Sequence, residues 1–175
     1  MVSSGDGVAA RAVVRPATEE DLDQLVEQLW AVAAEGRWVG TEVPFDRAAR
    51  RARFGAVISG ESSTVLVADA TSTGGPAMVG QISVDIAPYG VADIGMLVVD
   101  GWRGQGLGTV LLDAAITWAS AAGAHKMALE AWPHNTAALE LYRRAGFKEE
   151  GRKRRHYRRR NGELWDSVLM GRPLP

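Results

Sequence analysis

The stretch Met96-Leu97-Val98-Val99-Asp100-Gly101-Trp102-Arg103-Gly104-Gln105-Gly106-Leu107-Gly108 changes character twice. It ends the apolar run Ala92 to Val99, the pattern of a strand covered on both faces. Glycines at 104, 106 and 108 then remove side chains from a turn. From Leu107 the apolar residues fall at helical spacing, with Leu107, Leu111, Ala114 and Trp118 on one face and Gly123 as a stop. The reading is strand, glycine turn, helix. Backbone N–H groups in such a turn converge on an anion, and the helix N-terminus adds a favourable dipole. A diphosphate fits that site, and Arg103 adds a positive charge beside it. The competing reading is a tight turn with no ligand. A P-loop is excluded because no Gly-Lys followed by Ser or Thr is present. The spacing of the glycines is not that of a dinucleotide fold either.

Working outward, Arg11 to Arg15 reads as a strand, and Thr18 as the N-cap of a helix with Glu19, Glu20 and Asp21 in its first turn. Leu22, Leu25, Val26 and Leu29 give that helix an apolar face, and Gly36 ends it. A second helix is expected over about 46–58. Strands follow at Val65 to Ala68 and Val79 to Ile86, with a turn at Thr71 to Pro76. In the second strand Ile82, Val84 and Ile86 alternate with Gln81, Ser83 and Asp85. Beyond the glycine turn come a helix over 107–122, a strand at Lys126 to Trp132 and a helix at Asn135 to Ala145 with Gly146 as its stop. Strands at Phe147 to Tyr157 and Glu163 to Met170 close the chain, joined by the hairpin signal Asn161-Gly162. The order is β α α β β β α β α β β, an α/β (α+β) fold with helices flanking a mixed, mostly antiparallel sheet.

The 175 residues set a prior of one domain, with 46% hydrophobic and 23% charged residues. Residues 1–12 read as a flexible tail without the long apolar stretch of a signal peptide, and 13–175 as a single domain. A net charge of −1 gives no global pull toward nucleic acid or membrane. Ten of the twenty Lys and Arg residues nevertheless fall between Arg143 and Arg160. They read as a solvated face, with an anion-docking surface as the alternative. The absence of cysteine excludes disulfides and a thiolate nucleophile. His125, His134 and His156 have no paired metal-ligand spacing, so no metal is expected.

A second segment carries chemistry: His134-Asn135-Thr136-Ala137-Ala138 through Leu141-Tyr142-Arg143-Arg144-Ala145-Gly146-Phe147. At about 100° per residue, Asn135 and Tyr142 lie on nearly one helix face, two turns apart. A polar group and a phenol could flank one elongated ligand, or Asn135 could simply cap the helix while Tyr142 packs in the core.

The glycine segment, with Arg103, Gly106 and Gly108, resembles motif A of the GNAT family of N-acetyltransferases. The second segment, Asn-x-x-Ala, Leu-Tyr and Gly-Phe, is similar to that family's other signature. The resemblance implies a GNAT-like fold and transfer of an acetyl group from acetyl-CoA to a primary amine by direct attack. It implies that the backbone of Val98 pairs with the pantetheine arm, that the N–H groups from Gly104 through Gly106, Leu107 and Gly108 to Thr109 hold the pyrophosphate, and that Arg103 and Asn135 border the coenzyme. Tyr142 would be the general acid for the leaving thiolate, and a backbone N–H near Val98 would meet the oxyanion. The proton-accepting base stays open among Glu130, Asp93, Glu35, Glu42, His134 and a water chain. Trp38, in the loop after the first helix, either shapes the acceptor pocket or packs. The implied acceptor is a small molecule such as an amino acid. Alternatives are a phosphinothricin-type or antibiotic amine, a protein N-terminus, or a non-catalytic acyl-CoA sensor. A cytoplasmic homodimer without membrane or nucleic-acid partners completes the expectation.

Overall fold

The computed structural model describes residues 12–70 and 78–175. The expected tail and the turn at Thr71 to Pro76 lie outside or almost wholly outside them. The elements are β1 (Val13–Pro16), α1 (Leu22–Ala34), α2 (Arg47–Ser59), β2 (Ser63–Asp69), β3 (Met78–Ile86), β4 (Val91–Val98), α3 (Leu107–Ala121), β5 (Lys126–Ala131), α4 (Thr136–Arg144), β6 (Lys148–Arg158) and β7 (Leu164–Pro173). This is the order read from the sequence. A short 3₁₀ turn, Glu19–Asp21, precedes α1.

All seven strands form one sheet, ordered β1-β2-β3-β4-β5-β7-β6. Its pairings are antiparallel except β4 with β5. Strand alternation divides the core. Leu66, Ala68, Ile82 and Val84 face α3 and α4, whereas Val65 and Val67 pack with Leu22, Leu25 and Phe54 of α1 and α2. The helices therefore cover opposite faces, and each fully buried Leu stabilises by about 2–3 kcal/mol.

Gln81 breaks the apolar pattern yet is buried. Its amide nitrogen donates to Leu25 O at 3.1 Å, while Gln28 Nε2 donates to Met78 O at 2.6 Å. These bonds satisfy polar groups where α1 crosses the sheet. The buried stripe of α3 also differs from the sequence reading. It runs Leu107, Leu111, Leu112, Ala115 and Ala119, while Ala114 and Trp118 are half-buried. The helix lies flat over β3 and is apolar nearly all round, so spacing alone does not fix its rotation. At Asn161-Gly162 the hairpin closes through a hydrogen bond from Gly162 N–H to Arg159 O, and only Gly162 takes a positive φ, +88°. That is a type I turn followed by a left-handed glycine. β6 is the sheet's outer edge and mostly exposed.

Candidate active site

The site begins where two strands part. β4 and β5 pair in parallel only from Val91↔Lys126 to Asp93↔Ala128. Beyond this, β4 stays on β3 and β5 stays on β7. Val99 N–H donates to Val79 O and Ala87 N–H to Val91 O, so the odd-numbered residues of β4 turn their backbone groups to β3. The backbone groups of Ile94, Met96 and Val98 consequently face the gap. A cleft of about 1380 Å³ occupies the gap. Its lining takes in Val98, Arg103, Gly104, Gly106, Gly108, Thr109, Asn135 and Tyr142. The expected residues are brought together, apart from Leu107, which is buried in the core beneath.

Gly104 and Gly106 hold φ of +72° and +85°, which bends the chain into α3. Among the described residues, no protein acceptor takes the N–H of Gly104, Gln105, Gly106, Leu107 or Gly108. Those amides form a free row at the start of a 15-residue helix. The N–H of Thr109, expected in that row, is already committed to Gly106 O at 3.0 Å. Gly108 has a separate reason to be glycine: a Cβ there would lie 2.9 Å from Leu141 Cδ2. α3 and α4 therefore approach closely at the end of the gap.

The Arg103 side chain departs from expectation. Its guanidinium turns away from the amide row to Glu35, with Nη1 and Nη2 at 2.8 and 2.5 Å from the carboxylate oxygens, and its Nε donates to Val98 O at 2.9 Å. The forked donor thus meets both oxygens of a carboxylate 68 positions away in the chain. Trp38 Nε1 donates to the same carboxylate at 2.6 Å, and these bonds hold Glu35 below the usual carboxylate range, the Arg103 bond first. The tie places Trp38 in the cleft wall.

On α4, Asn135 caps the helix by accepting from Ala138 N–H at 3.2 Å. Tyr142 is 7% exposed and packs against Phe147 at 5.8 Å between ring centroids. Burial pushes its pKa up to about 12. Its hydroxyl has no protein partner among the described residues, yet it is not sealed off. The only side-chain polar atom found both sealed and unpartnered there is Arg159 Nη2. The phenol therefore opens onto the cleft as a protonated donor.

The carboxylates behave differently from one another. Glu130, in the cleft wall, accepts from Tyr157 at 2.7 Å, Ser167 at 2.8 Å and Lys153 Nζ. Burial raises its pKa, but those three donors outweigh it and leave the carboxylate below its ordinary value. Asp93 lies on the same sheet face. Burial, then the negative charges of Asp85 and Glu130, push it up. Glu42 accepts from Arg160 N–H at 3.2 Å and lies 3.5 Å from Arg159 Nε. His134 Nε2 contacts Arg37 O at 2.9 Å. Glu35 and Glu130 are thus held below the ordinary carboxylate value, whereas Asp93 is held above it.

The residues holding Glu130 escaped sequence reading, because nothing local links position 130 to 153, 157 and 167. Only the β5–β7–β6 ladder brings them together. The same ladder builds an aromatic cluster beside the cleft, with Trp132 5.2 Å from Tyr157 and 5.3 Å from Trp165. Among the described residues, no group of three or more His, Cys, Asp or Glu is gathered as a metal site, and no helix is long and apolar enough to cross a membrane.

A split sheet with free amides at one end of the gap and a buried phenol across it defines a ligand-binding cleft of one known class. The acetyltransferase (GNAT) family profile matches residues 26–147, and the chain belongs to that family. It is 33% identical over 118 residues to an L-methionine sulfoximine/L-methionine sulfone acetyltransferase of Pseudomonas paraeruginosa, covering 65% of this chain and 66% of that one. The fold matches the phosphinothricin acetyltransferase of Sinorhizobium meliloti in complex with acetyl-CoA, with a TM-score of 0.82 and 22% identity over 94% of this chain and 89% of that one. It equally matches the ribosomal-protein-alanine N-acetyltransferase of Brucella melitensis, with a TM-score of 0.82 and 24% identity over 93% and 99%.

Proposed function

We propose that this protein transfers an acetyl group from acetyl-CoA to the primary amine of a small molecule. The observation that carries the reading is a single cleft in which free amides, a strand edge and a protonated phenol follow one another. The amides from Gly104 to Gly108 suit the coenzyme's diphosphate. The gap-facing backbone of β4 up to Val98 suits its amide-bearing arm, as an added strand would. Arg103 serves by its main chain, while its side chain braces Glu35 and Trp38.

In the reaction the ammonium first gives a proton, through water, to Asp93, which lines a smaller pocket that shares Ile94 and Glu130 with the cleft. Asp93 suits this task because its surroundings favour the protonated form. The amine nitrogen then attacks the thioester carbonyl carbon, and the Val98 N–H donates to the oxyanion. As the C–S bond breaks, Tyr142 gives its proton to sulfur and regains one from the nitrogen. Products are the amide and the free thiol, with one proton released. Glu130 stays ionised and supplies negative potential near the ammonium.

The kinship with an enzyme for methionine sulfoximine and methionine sulfone favours a small acceptor over a protein N-terminus. A homodimer in the cytoplasm belongs to the same proposal, testable by sedimentation and fractionation. The deciding experiment adds acetyl-CoA to the protein and then screens amines for thiol release. Acetyl-CoA at about a hundred times its Kd should stabilise by about 2.7 kcal/mol. A thermal shift without thiol release from any amine would leave a non-catalytic binder. No shift would remove the coenzyme altogether.

A further inference from the structure

Four arginines ride on α2: Arg47, Arg50, Arg51 and Arg53. Two, one helical turn apart, are taken by α1, Arg47 by Glu27 and Arg51 by Asp23 at 2.7 Å. Arg50 turns away from them. It is half-buried and lines the large cleft. Its guanidinium lies 5.6 Å from the Phe45 ring centroid, and its one hydrogen bond, to the Thr41 hydroxyl, is long at 3.4 Å. Among the described residues no carboxylate pairs with it. Burial, and then the charge of Arg53, push its pKa down. A fork of donors held in a cleft wall without an anion is a receptor for one.

The coenzyme's diphosphate is not that anion. Its amide row starts α3, which packs on the sheet face opposite α1 and α2. Arg50 instead stands with Trp38, Val39 and Phe54 on the side of the cleft where Glu130 lies. That side therefore holds an unpaired cation, Arg50, a carboxylate, Glu130, and the apolar groups Trp38, Val39 and Phe54. A zwitterion with an apolar side chain complements all three.

We propose that Arg50 is the carboxylate anchor of the acceptor, so that the amine acetylated here carries a carboxylate beside it, as an α-amino acid does. This rests on the small-amine reading above and narrows it. The Arg50 guanidinium and the Thr41 hydroxyl donate to the carboxylate oxygens. The ammonium is thereby turned toward Glu130 and the smaller pocket that Asp93 lines beside it.

The test is a panel of L-amino acids with apolar or neutral side chains, each paired with the amine that lacks its carboxyl group. Thiol release is followed for the native protein, Arg50→Gln and Arg50→Lys. The native protein should prefer the amino acids, and Arg50→Gln should raise their KM about tenfold or more. It should leave the acetyl-CoA Kd and the rates with decarboxylated amines within about twofold, and Arg50→Lys should retain part of the preference. Equal use of both halves of the panel by the native protein, or an equal loss on both in Arg50→Gln, overturns the anchor and leaves the acetyltransferase reading standing. Thiol release from neither half would overturn both.

Discussion

Arg103 Nη2 lies 2.5 Å from Glu35 Oε1, so a side-chain ion pair ties the glycine turn to the end of α1. The pair is 30% exposed on each side, which limits its worth to about 1 kcal/mol or less. Its consequence is positional, because Glu35 also holds Trp38. Glu35→Gln should change the melting temperature by only about 4 °C or less while raising the acceptor KM several-fold. Acetyl-CoA binding should not weaken, since a released Arg103 is free to turn toward the diphosphate. Calorimetry and initial rates separate the two effects. A weaker coenzyme with an unchanged acceptor KM would mean the ion pair shapes the phosphate turn instead.

Tyr142 supplies a second test. Phenylalanine preserves its packing on Phe147, so Tyr142→Phe should leave acetyl-CoA affinity nearly intact and lower kcat by about 10²–10⁴. With its pKa pushed up to about 12, the native phenol stays protonated through the whole practical range. The kcat of the native enzyme should therefore show no fall assignable to this group between pH 7 and about 10. A falling limb near pH 10 that vanishes in the phenylalanine variant would mean an unburied phenol.

Asp93 is expected to trade stability for activity. It is exposed, yet partial burial and then its neighbours Asp85 and Glu130 favour the protonated form. A carboxyl whose folded pKa is raised contributes its stability at low pH and loses it as pH rises through the folded value. At neutral pH the ionised group therefore opposes folding. Asp93→Asn should raise the melting temperature slightly and lower turnover about tenfold or more. It should also abolish an acid limb in the native kcat/KM profile that lies above the ordinary carboxylate range. Unchanged turnover would hand the proton to another group or to water.

How much of this was legible in the sequence follows from the distance over which each feature is decided. Strand, glycine turn and helix over residues 92–121 are local, and spacing and left-handed glycines suffice to read them. The α4 cap at Asn135 is local as well. The aim of the Arg103 side chain depends on Glu35, and the ionisation of Glu130 depends on Lys153, Tyr157 and Ser167. No periodicity carries such contacts. Arg50 carries no local signal, and only the pairing of Arg47 and Arg51 with α1 singles it out.

Gly108 tests the approach of α3 and α4. An added methyl group would sit 2.9 Å from Leu141 Cδ2, inside ordinary contact distance. The Leu141 side chain must then give way, and where it cannot, α4 shifts and Tyr142 with it. Gly108→Ala should destabilise by about 1–3 kcal/mol, the usual range for overpacking, and reduce kcat more than it weakens acetyl-CoA binding. Pairing it with Leu141→Ala should restore part of the stability. A fully additive double variant would show that the two side chains do not meet.

Asp21 makes the prediction farthest from the cleft. Its carboxylate takes two hydrogen bonds from Arg15 at 2.7 and 2.9 Å and one from Thr18 N–H at 2.8 Å, and it is 8% exposed. The Arg15 bonds outweigh burial and lower its pKa from 3.8 to about 2. A depressed folded pKa contributes stability that is present above the unfolded value and lost as pH falls through the folded one. The stabilisation, roughly 1–2 kcal/mol, should therefore be complete above about pH 4 and disappear toward pH 2. Asp21→Asn removes it at every pH, so native and variant stabilities, measured by urea unfolding, should converge as the acid range is entered. Parallel curves down to pH 2 would place the ion pair outside the balance that holds β1 to the start of α1.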